Sequence, residues 1–301
     1  MQRWARAWFV GQAICGTAWW VLVAVDRDVR RLTLGGWDPR IVAGPDLLLF
    51  CGAALWAGAR GSSLAATVAA GWSVLVTVAL AGYALLERQA GWGVVLMTTA
   101  SIGAVVAASI IVRGSVPTGW FFAGPFRFRP APPRSATSNA AHSLAQLVVF
   151  WSFFFGVVPV VLMAIEERIR IDAPALQHVA IERVAVVVLV AASTLGLWSC
   201  LTMAVRGAGT PLPSATGREL VVAGPYRHVR NPMAVAGALQ TAAVGAILGS
   251  WITIAAAVVG AVAWHLLIRP EEERDLAARF GADYERYRDR VRCWVPRYGA
   301  R

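Results

Sequence analysis

The sequence predicts an all-α, polytopic membrane protein, and three observations lead to this fold class. First, 57% of the 301 residues are hydrophobic and only 15% are charged. Second, apolar segments long enough to cross a bilayer, which takes about 17–25 residues, recur along the chain. Third, all 28 basic residues are arginines, concentrated between the apolar segments and in the C-terminal tail. We therefore attribute the net charge of +11 to loops at a membrane surface and expect no nucleic-acid partner.

About eight transmembrane helices are predicted from the lengths of these segments. With eight spans, both termini lie on one side of the membrane. Counting arginines loop by loop places 20 of the 28 on that side, which the positive-inside rule identifies as the cytoplasm. The first span is expected to stay as a signal anchor, because Trp19 and Trp20 leave no clear small-residue cleavage site. We expect the chain in a bacterial inner (plasma) membrane, with spans at about 7–25, 41–59, 64–86, 93–112, 143–165, 185–205, 232–250 and 252–268.

Three regions are predicted along the chain. Residues 1–113 form a four-span N-terminal region to which the sequence assigns no role. Residues 114–142 are rich in Pro, Ser and Arg and are interpreted as a cytoplasmic linker. Residues 143–301 are predicted to form a membrane domain with a cytoplasmic active site. The four cysteines are scattered without metal-ligand spacing, so neither a metal site nor a disulfide framework is expected.

A polar, arginine-bearing stretch, Ala223-Gly-Pro-Tyr-Arg-His-Val-Arg-Asn-Pro-Met233, runs directly into the seventh span. Gly224 and Pro225 indicate a turn. Asn231 is a favourable helix N-cap, and Pro232 is suited to the first helical position. The free amides of this helix end would face the basic loop and form a pocket for a carboxylate or phosphate. A solvated basic turn at the membrane surface explains the same pattern.

The last two spans are joined only by residues 249–251 and are predicted to form a tight antiparallel hairpin. The hairpin returns the chain to the cytoplasmic side. There, apolar residues recur every three to four positions in a charged segment, as in an amphipathic helix lying on lipid headgroups. Gly281 is a weak point in this helix. The apolar face consists of Leu276, Phe280, Tyr284, Tyr287 and Val291.

Acidic residues follow the eighth span directly, at Glu271, Glu272 and Glu273. The hairpin can bring them to the arginine-rich loop, and Arg269 precedes them. Acidic residues in the first turn of a helix also complement the helix dipole, so the cluster has a purely structural explanation as well. His265 lies inside the last apolar segment, where a titratable group is costly and marks a candidate site. A hydrogen-bonded packing role explains this histidine equally well.

Two motifs, GPYRHVRNPM and EEERDLAARFGADYERYRDRVRCWVP, flank the hairpin and resemble the C-terminal region of the isoprenylcysteine carboxyl methyltransferases and related membrane phospholipid methyltransferases. The resemblance covers residues 205–297, about a third of the chain. The family pattern is approximately G-P-Y-x-x-x-R-[HN]-P-x-Y, a helical hairpin, then E-E-x-x-L-x-x-x-F-G-x-x-Y-x-x-Y and a late proline. The matching residues are Gly224, Pro225, Tyr226, Arg230, Asn231 and Pro232, then Glu272, Glu273, Leu276, Phe280, Gly281, Tyr284, Tyr287 and Pro296.

The resemblance implies a methyltransferase that encloses S-adenosyl-L-methionine at the cytoplasmic membrane surface and admits a lipid-like acceptor through a tunnel between helices. Asn231 stands where the eukaryotic members have His. Ala234 stands where many members have Tyr, and the missing ring leaves the identity of the acceptor open. The cofactor-binding residues implied by the resemblance are Gly224, Pro225, Tyr226, Arg230, Asn231, Pro232, Glu272 and Glu273.

The residue types suit methyl transfer in their own right. A sulfonium methyl donor needs a carboxylate or hydroxyl for its ribose and amino group, a cation or helix end for its carboxylate, and an aromatic wall for adenine. We predict catalytic roles for Arg269, Glu272 and His265. Arg269 would hold an acceptor carboxylate, whereas Glu272 or His265 would take the proton of a hydroxyl or amine acceptor. The acceptor is expected to be a lipid, a prenyl compound or another amphiphile.

Two other functions stay open at this level. The C-terminal region also resembles that of sterol-reductase-like proteins, which bind NADPH, but the Arg-Asn-Pro and Glu-Glu motifs favour the methyl donor. A transporter or non-catalytic scaffold would be favoured by charged residues inside several spans, and the sequence offers almost none apart from His265.

Overall fold

A computed structural model describes residues 1–116, 127–170 and 174–296. Within these ranges the chain is helical and contains no β-strand, only an isolated bridge between Pro130 and Thr216. Helices α3, α6 and α9 each include a π-helical turn, at Leu47–Gly52, Ser152–Val157 and Trp264–Ile268. The helices are α1 Gln2–Val25, α2 Arg27–Leu34, α3 Pro39–Arg60, α4 Ser63–Glu87, α5 Gly91–Arg113, α6 Ala136–Arg168, α7 Val179–Arg206, α8 Pro232–Leu248, α9 Trp251–Phe280 and α10 Ala282–Arg290.

The predicted fold class, an all-α polytopic membrane protein, is confirmed. Among the described residues, α1, α3, α4, α5, α6, α7 and α9 are long and apolar enough to cross a membrane. The seventh predicted span corresponds to α8, an apolar helix of 17 residues. Helix α6 begins at Ala136, inside the segment predicted as a linker, whereas residues 117–126 of that segment lie outside the described residues.

The chain divides into two compact units, Met1–Pro117 with Ala164–Asp172, and Thr118–Met163 with Ala173–Arg301. In the first unit the helices meet through small side chains. Because alanines let backbones approach closely, packing replaces the hydrophobic driving force that is missing in lipid. One core cluster consists of Ala5, Phe9, Ala13, Ala54, Ala57, Ala66, Ala69, Ala70, Ala104, Ala107, Ala108 and Ile110.

Asp46 is a buried carboxylate within the α3 span of the first unit, and the sequence interpretation passed over it. It is 4% exposed, and each of its oxygens accepts a hydrogen bond from an indole N–H. The two donors are Trp20 and Trp72, both at 2.8 Å. Asp46 therefore joins α3 to α1 and α4 through polar contacts in an otherwise apolar bundle.

Replacing Asp46 with leucine is expected to destabilise the detergent-purified protein by about 2–4 kcal/mol, because two buried indole N–H groups lose their acceptor. Thermal unfolding measures the change. Asp28→Leu, at an exposed position on α2, is the control and should cost less than about 1 kcal/mol. Equal midpoints for the two variants would contradict a structural role for Asp46.

In the second unit, α7 packs against α6 and α8, and α8 packs against α9. The α8–α9 hairpin predicted from the sequence is confirmed. Gly249 ends α8 in the left-handed conformation at φ +66°, and the Ser250 side chain caps α9 by accepting from the Thr253 amide. The two helices approach closely, since a Cβ on Gly245 would lie 2.9 Å from Ile254.

The C-terminal tail differs from the prediction in two ways. Helix α9 runs through Ile268 without a break, so the acidic residues that follow lie inside a continuous helix rather than at a helix start. The helix-dipole explanation for them is therefore wrong. The chain breaks at Gly281, the weak point predicted from the sequence, at φ +51° and ψ −128°, a conformation that favours glycine. In α10, Tyr284 and Tyr287 are 1% and 6% exposed, so protein rather than lipid headgroups covers them.

Candidate active site

The turn at Gly224–Arg227 is a single 3₁₀ turn packed against the end of α7. Gly224 has φ +55°, and a Cβ there would lie 2.9 Å from Thr202 Oγ1. Both facts explain why glycine occupies this position. The turn buries the ring of Tyr226, which is 6% exposed. Burial raises the pKa of the Tyr226 phenol well above its usual value, and the negative charge of Glu272 adds to the rise. The phenol is therefore neutral at physiological pH and stands near Glu272.

Helix α8 begins at Pro232, as predicted, but the predicted side-chain cap by Asn231 is wrong. The Asn231 side chain makes no capping hydrogen bond and points instead to Cys293, with Nδ2 donating to Sγ at 3.8 Å. The backbone contacts the same segment, because the Arg230 amide donates to the Arg292 carbonyl at 2.9 Å. The polypeptide after α10 therefore lies across the beginning of α8.

Arg230 connects this tail to α9. One guanidinium nitrogen, Nη1, donates to the carbonyls of Arg288 at 3.0 Å and Val291 at 2.6 Å. The other, Nη2, forms an ion pair with Glu273 at 2.8 Å. The side chain is 11% exposed, and its Nε is buried without a partner in the described part of the chain. Arg230 thus acts as a cross-link between three segments, and its predicted contact with a cofactor stays a prediction.

Glu273 accepts from a second arginine. Arg269 Nη1 lies 3.4 Å from Glu273 Oε1, and Arg269 Nε donates to the carbonyl of His265 at 3.3 Å. The prediction that Arg269 binds an acceptor carboxylate would require it to leave these partners. The two basic neighbours, Arg227 and His228, are exposed, so the turn does not bring all of its basic side chains together.

Glu272 differs from the glutamates on either side. Glu271 pairs with Arg274 and Glu273 with Arg230, whereas the half-buried carboxylate of Glu272 makes no hydrogen bond or ion pair within the described ranges. Its charge acts on the phenols of three buried tyrosines. Burial raises the pKa values of these phenols, which are those of Tyr226, Tyr284 and Tyr287. Glu272 is therefore an acceptor that lies near three tyrosine rings and near the carboxylates of Glu273 and Asp275.

His265 lies on the π-helical turn of α9 and is held by the tail. The Trp294 indole N–H donates to His265 Nδ1 at 2.8 Å, and the Trp294 ring packs edge-on against Trp264 at 5.4 Å. With Nδ1 accepting, the ring proton sits on Nε2. His265 could then take a proton only by giving up the bond to Trp294, so the structure favours the packing explanation.

Sequence reasoning missed Arg279, which holds the loop between α7 and α8. Its guanidinium donates to Thr216 Oγ1 at 3.0 Å and to the Gly217 carbonyl, and it pairs with Asp275 at 3.0 Å. An arginine one helical turn after Asp275 is ordinary for a pair along the helix, and nothing in the local sequence indicates a contact 62 residues away. A cleft of about 550 Å³ opens beside it, lined by Pro130, Ala131, Arg218, Arg279 and Phe280.

A second groove, of about 310 Å³, starts at Gly224 and follows the outer face of α7. Its walls combine apolar and polar surface in similar amounts and end at an arginine. The lining residues are Trp198, Leu201, Thr202, Val205, Arg206, Ala223 and Gly224. The groove therefore connects the outer face of α7 with the turn that carries Tyr226.

One of the comparisons with known proteins gives a match. No curated protein and no solved structure matches the chain. Residues 181–283 match the family model described as Phospholipid methyltransferase. The match begins in α7 and ends just after Gly281, so it contains the Gly224–Arg227 turn, Arg230 and Glu272. The segment 181–283 is therefore a phospholipid methyltransferase domain, and it belongs to the membrane methyltransferase family that also includes the isoprenylcysteine carboxyl methyltransferases.

Proposed function

We propose that the chain is a membrane-embedded methyltransferase that uses S-adenosylmethionine and methylates a lipid, a prenyl compound or another amphiphilic acceptor. One observation supports the proposal in addition to the family match. Within the matched domain, Glu271 and Glu273 each form an ion pair with an arginine, whereas Glu272 forms none among the described residues. A half-buried carboxylate without a cationic partner lowers the stability of the fold. A ligand that donates hydrogen bonds to this carboxylate would restore that stability.

The residues fit the chemistry of this cofactor. Glu272 would accept hydrogen bonds from ribose hydroxyls or the amino group. The amides of Met233 and Ala234, in the uncapped first turn of α8, make no hydrogen bond among the described residues and would receive the cofactor carboxylate. The neutral ring of Tyr226 would provide an aromatic wall. When bound, the cofactor supplies a methyl group on a positively charged sulfur, which is open to displacement by a nucleophile.

The chain's own contribution is positioning, exclusion of water and proton handling. The tail segment held by Arg230 covers the start of α8 and limits the access of water. With a hydroxyl or amine acceptor, methyl transfer would release the proton of the acceptor, and Glu272 would take this proton. With a carboxylate acceptor, no proton is released. The products are the methylated acceptor and S-adenosylhomocysteine.

An amphiphilic acceptor is supported by the groove at Gly224, which follows the last two turns of α7 and is lined by apolar side chains together with Thr202 and Arg206. Near the beginning of α8, Ala234 replaces the family's frequent tyrosine, and a Cβ on Gly237 would meet no atom within 4 Å. Both positions leave room beside α8. We therefore propose that the chain accepts a bulkier lipid than the prenylcysteine enzymes do.

Calorimetric titration of the detergent-purified protein with S-adenosylhomocysteine and with NADPH tests the function. Binding of S-adenosylhomocysteine without binding of NADPH is the expected result. In a second step, membranes are incubated with radiolabelled S-adenosylmethionine and extracted, and we expect the label in the lipid fraction. Binding of NADPH alone would replace the proposal by the reductase alternative, and label found only in water-soluble compounds would exclude a lipid acceptor.

Both termini and the loop between α7 and α8 are proposed to be cytoplasmic, since this topology places 20 of the 28 arginines inside. Single cysteines at the exposed positions Ser214 and Arg286, in a cysteine-free background, should resist an impermeant thiol reagent in intact cells. Arg88→Cys, in the exposed turn between α4 and α5, should react and is the control. Reaction at Ser214 but not at Arg286 would be incompatible with the proposed topology.

A further inference from the structure

Helix α6 carries a stripe of polar side chains that the methyltransferase match does not include. Asn139, Ser143 and Gln146 follow one another at intervals of four and three residues, so they lie on one face of the helix. Asn139 is 1% exposed and Ser143 is fully buried. Asn139 Oδ1, Ser143 Oγ and Gln146 Oε1 are all buried without a hydrogen-bond partner in the described part of the chain. We call these three residues the α6 stripe.

The α6 stripe faces α7 and leads towards the candidate active site. Ser143 lies beside the thiol of Cys200, although the two make no hydrogen bond of normal geometry. The Gly224–Arg227 turn, which carries Tyr226, packs against the same helix α7. The stripe and the turn of the candidate active site therefore both contact α7.

Ordinary helix packing does not explain the stripe, because neighbouring polar residues of the same unit are satisfied. Gln240 on α8 donates to Ser193 at 3.0 Å. Ser199, also fully buried, donates to the carbonyl of Leu195 at 2.6 Å. Native proteins leave few buried polar atoms without partners, and three on one helix face call for a ligand.

The chemistry of the stripe indicates what it binds. Two amide oxygens and one hydroxyl oxygen accept hydrogen bonds, so the ligand must carry O–H or N–H donors. Residues 136–151 include no Asp, Glu or Arg, and their one histidine, His142, is exposed and bonded to the Ser138 carbonyl, so the stripe itself offers no charge to pair with a charged group. On either side of the stripe, Leu144 and Val148 are 38% and 63% exposed, as expected for side chains facing lipid.

We infer that the α6 stripe binds the uncharged, hydroxyl-bearing headgroup of an amphiphile between α6 and α7, next to Tyr226. The inference rests on the proposed function in one respect only: it identifies this amphiphile with the methyl acceptor. Asn139 and Ser143 then determine acceptor specificity, and the apolar chains of the ligand lie against the exposed face of α6.

Photo-cross-linking in nanodiscs tests the inference. One probe is a photoactivatable monoacylglycerol, whose headgroup has two hydroxyls, and the other is the methyl ester of the same acyl chain, which has no donor. The monoacylglycerol is expected to label peptides from α6 and α7, and the methyl ester much less. Asn139→Leu and Ser143→Ala should each reduce this labelling about threefold to tenfold, the effect of one hydrogen bond. Ser199→Ala, a matched buried serine with an internal partner, should leave the labelling unchanged.

Thermal unfolding of the same variants separates binding from structure. Because the stripe makes no hydrogen bond within the protein, Asn139→Leu should unfold at the wild-type temperature or above it. Equal labelling by the two probes, or labelling unaffected in Asn139→Leu, would overturn the inference. Titration of the same preparations with S-adenosylhomocysteine distinguishes the two proposals. If S-adenosylhomocysteine binds but the two probes label equally, only the headgroup site on the α6 stripe is refuted. If the probes label selectively but S-adenosylhomocysteine does not bind, only the methyltransferase proposal is refuted.

Discussion

Replacing Glu272 with glutamine is expected to lower the affinity for S-adenosylhomocysteine and the rate of methyl transfer by about tenfold to a hundredfold, the loss of one charge-assisted hydrogen bond. Glutamine keeps the size of the side chain but removes the charge that attracts the donors of the ligand. Glu272 also lies close to the carboxylates of Glu273 and Asp275, so neutralising it relieves repulsion within the protein. The unfolding temperature should therefore stay the same or rise while the function falls.

The matched control is Glu271→Gln, one residue earlier on α9. Glu271 pairs with Arg274, whose side chain is 70% exposed, so the change should affect neither affinity nor stability by a measurable amount. Calorimetry and radiolabel transfer give the two functional values for each variant. Unchanged affinity in Glu272→Gln would remove Glu272 from the site, and equal losses in both variants would indicate a general effect of charge.

Replacing Arg230 with methionine is expected to destabilise the protein by about 3–5 kcal/mol, the cost of breaking a largely buried charged cross-link. The change removes the bonds to the carbonyls of Arg288 and Val291 and leaves Glu273 with Arg269 alone. Because these bonds hold the tail on α8, the segment after α10 should also lose protection from hydrogen exchange. Arg230→Lys should rescue little, since a lysine ammonium cannot reproduce the planar fork of donors.

Arg274→Met is the control for this prediction, because Arg274 is a mostly exposed arginine in an ion pair and should contribute less than about 1 kcal/mol. Thermal unfolding and hydrogen exchange over residues 282–296 measure the effect. If Arg230→Met instead unfolds at the wild-type temperature but fails to bind S-adenosylhomocysteine, Arg230 contacts the cofactor directly, as the family resemblance implies.

The ends of most helices follow from local chemistry and could be predicted. Pro232 starts α8 and Gly249 ends it, and Gly281 interrupts the tail. Proline at the first helical position and glycine at a left-handed cap depend only on the residue and its immediate neighbours. Local chemistry does not reveal that the Asn231 side chain leaves α8 uncapped, because its alternative partner, Cys293, is 62 residues away.

The candidate site shows the same division. Motif spacing predicts that Gly224, Tyr226, Arg230 and Glu272 belong to one site. The spacing does not assign different roles to the three consecutive glutamates, because their contacts depend on the rotation of α9 about its own axis. The unbroken passage of that helix through Ile268 turns Glu273 towards Arg230 and Glu272 towards the tyrosines.

Segment length, hydrophobicity and residue spacing are properties of the chain alone, and they predict the membrane class, the approximate spans, the hairpin and the motif residues of the methyltransferase domain. Other features are visible only in the folded chain: Asp46 accepts from two indoles, Arg230 is a cross-link, Trp294 donates to His265, and the α6 stripe has buried oxygens without a partner among the described residues. Each of these depends on which helix faces meet. In an apolar bundle, a single polar side chain changes the hydropathy of its helix very little, so hydropathy does not reveal its hydrogen-bond partner. Once the side chain is buried, however, the presence or absence of that partner strongly changes the stability of the fold.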